Sequence, residues 1–225
     1  MYKKITHTIV EEHFDHPIAN EIKAAMSCEP PVPPTMADTQ SMVDLKLASR
    51  YLFGNFVNRV HGYIVSAING GNDVDAIADQ LKKDVTALSQ VINEYYGTIA
   101  SIRFNEHVTS MVKSLGEIVK AIKSGKSTTD LKQRLTVDIK DIARLLDNVN
   151  MRFWPEDAVM GILTKVADEW IVQAEAREKK DWTADAESVD RVNAIMIAGQ
   201  PDGTMSFADI FSNGIIQQFP NKFKY

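Results

Sequence analysis

The densest run of metal-ligand side chains in this chain is Glu11-Glu12-His13-Phe14-Asp15-His16. A helix would bring His13 and His16 to one face, and imidazole suits zinc, copper or iron. Pro17 follows at once, so a solvated polar arm competes with a metal-binding turn for this run. His61 and His107 are of another kind. Each stands at the edge of an apolar helical stripe, where one ring nitrogen can satisfy a neighbour while the other meets a metal or a ligand. A core-edge histidine with ordinary hydrogen bonds is the plainer account of both. The di-metal pattern of carboxylate bundles needs Glu three residues before His on two helices. Val10, His13, Asn58 and Phe104 occupy the places before His13, His16, His61 and His107, so that pattern fails.

Lys46 and Arg50 lie one helical turn apart and, with Arg59, could line an anion site in a groove near Gly54; solvated surface charge is the simpler reading. Cys28 is the sole cysteine and sits among prolines, with no helix N-terminus to lower its pKa, which argues against a nucleophile. Gly125-Lys126-Ser127 has the look of a phosphate loop. Yet Lys120 stands where the first glycine is required and no strand precedes it, so a helix end is expected there. No paired-cysteine, HExxH or nucleophile-elbow motif occurs.

With 44% hydrophobic and 24% charged residues over 225 positions, the chain has the composition of a globular domain that buries a substantial core. A net charge of -5, with no basic run longer than a pair such as Lys179-Lys180, argues against a nucleic-acid partner. No apolar stretch approaches the ~18 residues of a membrane span. The start of the sequence has no apolar run behind Lys3-Lys4, so no leader is expected and a cytoplasmic location follows.

The elements that must position these residues are helices. Residues 1–35 read as an N-terminal arm with a short helix, closed by a stiff connector holding Pro30, Pro31, Pro33 and Pro34. Residues 36–225 read as a bundle domain. A first long helix is capped by Asp38 or Thr39 and stopped at Gly70-Gly71. Its second half buries Phe56, Val57, Val60, Tyr63, Ile64 and Ala67. Its first half turns Leu45, Ala48, Leu52 and Tyr51 inward, with a bend at Gly54. A second helix runs from Asp73 to Tyr96. A third, to Ser124, carries Phe104, Val108, Met111, Leu115, Ile118, Val119 and Ile122 at three- and four-residue spacing. A fourth begins near Ser127, and Pro155 opens a fifth with Glu156 and Asp157 in its first turn. Two shorter helices, separated by Pro201-Asp202-Gly203, complete an all-α single-domain bundle of about four long helices plus accessory ones. Trp154, Trp170 and Trp182 are expected in the core or at an interface.

The order Tyr95-Tyr96-Gly97, Arg103-Phe104, His107-Val108, Asp141-Ile142-Ala143-Arg144-Leu145-Leu146, Asn150, Trp154 and Gly214-Ile215-Ile216-Gln217-Gln218-Phe219-Pro220 resembles a group of uncharacterised bacterial helical-bundle proteins. The likeness spans about residues 45–223 and implies an all-helical fold without an established activity. Some members carry an automatic label of acetylglutamate kinase. That label finds no support here, since an amino-acid kinase is an α/β protein with glycine-rich phosphate loops. The resemblance also implies polar residues near Phe56 and Val166, with His107 the one histidine retained.

No catalytic constellation assembles from these residues. The expectation is a non-catalytic bundle that binds a protein partner, a second copy of itself or a small ligand. The alternative is a transition-metal-binding bundle, as an enzyme or otherwise, with a histidine and carboxylate site between helices.

Overall fold

Thr39 adopts an extended conformation and accepts a hydrogen bond from the Met42 N–H at 3.3 Å, which starts α1 (Gln40–Asn69). This computed structural model describes residues 38–224. The arm, the proline-rich connector, Cys28, His13 and His16 lie outside the described residues. Gly70, at φ 72°, ends α1, and the Gly71 N–H returns to the Ser66 carbonyl at 2.8 Å. Six helices follow: α2 (Val74–Tyr96), α3 (Thr98–Lys123), α4 (Thr129–Asn150), α5 (Glu156–Lys179), α6 (Trp182–Asn193) and α7 (Phe207–Gln218). A π-helical turn, Ala194–Ala198, extends α6, and a 3-10 turn, Pro220–Phe223, follows α7. No strand occurs among the described residues. None of their helices is long and apolar enough to cross a membrane.

Each of the helices α1 to α5 packs on the helix that follows it, as short connections dictate, while α7 meets the π turn that extends α6. Gly97 alone joins α2 to α3, at φ 84°. The Gly125-Lys126-Ser127 segment is the end of α3: Gly125 takes φ 62° and the Lys126 N–H reaches the Ala121 carbonyl at 2.9 Å. α7 returns to α1, which also touches α2, α3 and α5 and so forms the centre of the bundle.

The core follows the periodic apolar stripes. Phe56, Val57, Val60 and Ile64 of α1 are buried, as are Phe104 to Val119 at the expected positions of α3 and Val159, Leu163, Val166, Ala167 and Trp170 of α5. An aromatic seam fastens α7. Phe53 meets Phe207 and Phe211 edge-on at 5.2 and 5.4 Å, and the Trp154 indole stacks on Phe211 at 5.0 Å. Gly214 supplies the close approach this needs, because a Cβ there would overlap the Trp154 ring. At the centre remains an apolar void of about 30 Å³ between residues such as Phe56, Val108 and Trp170. Its walls offer no polar partner, so it suits no bound water.

The structure departs from the sequence reading in the first half of the first helix. The first half of α1 buries Leu45, Ser49 and Phe53, while Ala48 and Tyr51 face solvent, because α7 docks on the Phe53 side. α1 is one continuous helix through Gly54, where a Cβ would make ordinary contact with Ile197 of the π turn at 3.5 Å. Trp182 is 54% exposed and lies over the Arg177 guanidinium at 5.3 Å, outside the core.

Candidate functional site

α2 and α3 form a hairpin about Gly97, so residues equally far from that glycine face one another. Ala78 of α2 and Gly116 of α3 both line the space between the helices, and neither carries enough side chain to fill it. The result is a groove of about 320 Å³. Tyr63 of α1, with Leu81, Val85 and Val112, makes its apolar floor; Thr109, Lys82, Lys113, Glu117 and Lys120 stand around it. Gly116 is buried, and a Cβ placed on it would lie 3.0 Å from the Tyr63 hydroxyl. The glycine is therefore what allows the phenol to reach the floor.

The polar groups of the groove differ in how far they are already engaged. Lys82 binds Asp79 at 2.7 Å on the solvent side. Glu117 turns away to Arg134 of α4, at 2.6 Å. Lys113 and Lys120 have no ion-pair partner among the described residues. They sit seven residues apart on α3, two turns along one face, roughly 10 Å in rise. Burial, and then the negative charge of Asp75, push the Tyr63 hydroxyl above its ordinary pKa. It stays protonated at neutral pH, and no described residue takes its proton in a hydrogen bond.

A second polar cluster lies between α1, α5 and α6. Asp185, 3% exposed, binds the Arg177 guanidinium at 2.5 Å through Oδ2. Its Oδ1 stands 3.9 Å from His61 Nδ1 and has no hydrogen-bond partner. His61 Nδ1 lies instead within 3.2 Å of the Gln173 amide oxygen, on a glutamine that is itself buried. Nearby, Glu169 accepts from Ser188 and Arg191, both at 2.8 Å, which fastens α6 to α5. A second buried carboxylate, Asp138 of α4, accepts from Ser110 and Ser114 of α3 at 2.7 and 2.5 Å. These groups tie helix to helix.

The residues singled out from sequence are dispersed. His61 faces α5 and α6 in the cluster just described. His107 is half-buried on α3, and no side-chain hydrogen bond or ion pair joins its ring to His61 or to any other described residue. Among the described residues no three His, Cys, Asp or Glu side chains are grouped to share a metal ion. Arg50 forms a two-pronged pair with Asp209 of α7, both contacts at 2.9 Å. Lys46 contributes to the same positive field: burial raises the Asp209 pKa, but Arg50, Ser206 and Lys46 outweigh it and hold the carboxyl below its usual range. Arg59 lies nine residues on from Arg50, on the opposite side of α1, and binds Asp84 of α2 at 2.5 Å. Lys46 and Arg50 thus stand together, Arg59 stands apart, and both arginines already hold carboxylates.

The groove was missed because its signal is a deficit of side chain. Gly116 lies beside the α3 stripe without breaking it, and that it and Ala78 line one groove depends on the hairpin register set at Gly97. No protein-family model matches the chain, and neither does any curated protein or solved structure.

Proposed function

We propose that this bundle is a binding protein for a small organic ligand, held in the groove between α1, α2 and α3. The observation that carries this reading is a preformed recess of about 320 Å³, whose apolar floor carries a hydroxyl unclaimed by any described residue. Pockets of that size, lined by apolar side chains with a few polar groups to orient a ligand, are what small-molecule sites look like. The central void, at about 30 Å³, is too small for any such ligand.

The test is a fluorescence titration with N-phenylnaphthylamine, a neutral apolar probe that brightens when it leaves water. The full chain should give a saturable rise. Ala78→Trp fills the groove from α2, and Thr109→Trp closes it from an exposed position on α3. Both variants should fold, as judged by far-ultraviolet circular dichroism, and lose the rise. An undiminished rise in both folded variants, or none in the native chain, would refute the groove as the site.

A further inference from the structure

Resting on the groove as the binding site, we infer that its ligand is an amphiphilic anion: an apolar chain or ring that lies on the floor and ends in one anionic head, held by Lys113 and Lys120. The inference comes from how the charges around the groove are spent. In an isolated helix Glu117 would neutralise Lys113 at i, i+4 and Lys120 at i, i+3. Here Glu117 is drawn off by Arg134 of α4, at 2.6 Å, and Lys82 is answered by Asp79. Lys123, the next lysine along α3, is likewise occupied, donating to the Ala67 carbonyl at the end of α1 at 2.7 Å. Two ammonium groups therefore remain uncompensated beside an apolar trough, in a chain whose net charge is -5.

The floor adds direction. The Tyr63 hydroxyl is a donor held protonated by burial and by Asp75, and it lies at Gly116, between the two lysines in sequence. An anionic oxygen placed there would accept from the phenol in a groove that both lysines line, and their two charges would outweigh the single Asp75 carboxylate that also acts on that hydroxyl. Lysine fixes no geometry, unlike the planar fork of arginine, so the site selects charge and an apolar body more than the shape of the head. Carboxylate and phosphate monoester are both heads of that chemistry.

Competition against bound N-phenylnaphthylamine separates the outcomes. Decanoate, decyl phosphate and decanol share one chain and differ in the head. Decanoate or decyl phosphate should displace the probe at concentrations roughly tenfold below decanol at low salt, taking each exposed ion pair as about two- to fivefold. The better of the two anions names the head. Lys113→Gln combined with Lys120→Gln should erase that preference, read as the ratio of anion to decanol competition within the same folded variant, and added salt should reduce it in the native chain. Equal competition by decanol, or an anion preference unchanged in the double variant, would overturn the inference while the groove itself stands. Failure of the probe to bind at all would instead remove the groove reading on which the inference rests.

Discussion

Removing the Asp185 carboxylate tests whether the α5–α6 junction is held by a buried ion pair or merely decorated by one. Asp185 keeps 4% of its side-chain surface and Arg177 keeps 21%, with 2.5 Å between Oδ2 and Nη2. Exposed pairs contribute little, whereas breaking a buried pair by deleting one partner costs about 3–5 kcal/mol. Arg177 retains some water and the face of Trp182, which together offset part of the loss. Asp185→Ala should therefore cost roughly 2–3 kcal/mol. Arg177→Ala should cost at least as much, because it leaves a carboxylate with almost no access to water. The double variant should fall short of the sum by about 2 kcal/mol, the coupling expected of residues in direct contact. Urea denaturation followed by far-ultraviolet circular dichroism, run as a double-mutant cycle, measures all four states. Strict additivity, with either single change costing less than about 0.5 kcal/mol, would show a solvated surface pair and refute the assignment.

Two further outcomes follow from the α2–α7 side of the bundle. Burial and the neighbouring Glu94 carboxylate push the Tyr95 hydroxyl up to about 12, and burial pushes Tyr96 higher, against a smaller opposing effect of Asn150. Above pH ~10 the unfolded chain loses these protons while the folded chain keeps them, so stability should fall as pH rises toward 12. Denaturation midpoints across that range should decline less steeply for Tyr96→Phe; an identical slope would contradict the assignment. Gly214→Ala sets a methyl against the Trp154 indole and should cost about 1–3 kcal/mol, with a changed near-ultraviolet signal from that ring. A neutral result would mean the Trp154–Phe211 stack is looser than described.

The helices were legible because their stripes and stops are local properties. Thr39, Gly70, Gly97 and Gly125 mark ends that backbone chemistry fixes without reference to the rest of the chain. The stripes of α3 and α5 read correctly because each buries one continuous face. The first half of α1 read incorrectly because its inward face is decided by α7, more than 150 residues away, as Arg50 and Asp209 illustrate. The candidate site was hidden for the same reason. Basic residues drew attention on α1, where carboxylates from α2 and α7 occupy the arginines. On α3 it is the diversion of Glu117 to α4 that leaves Lys113 and Lys120 available, and no helix considered alone displays that. Of the two places expected for Trp182, the core is excluded: at the start of α6 its exposed ring lies over the Arg177 guanidinium.

The aromatic seam has a consequence for how the chain comes into being. Helices α1 to α5 each find a partner next in sequence, so contact can form over short loops as the polypeptide lengthens. Phe53 cannot: Phe207 and Phe211, the rings it meets, follow it by more than 150 residues. Until they leave the ribosome, the nascent bundle carries an open apolar furrow along its central helix, the kind of surface that draws chaperones and neighbouring chains. The closing helix is thus also the cover that ends this vulnerable interval of synthesis.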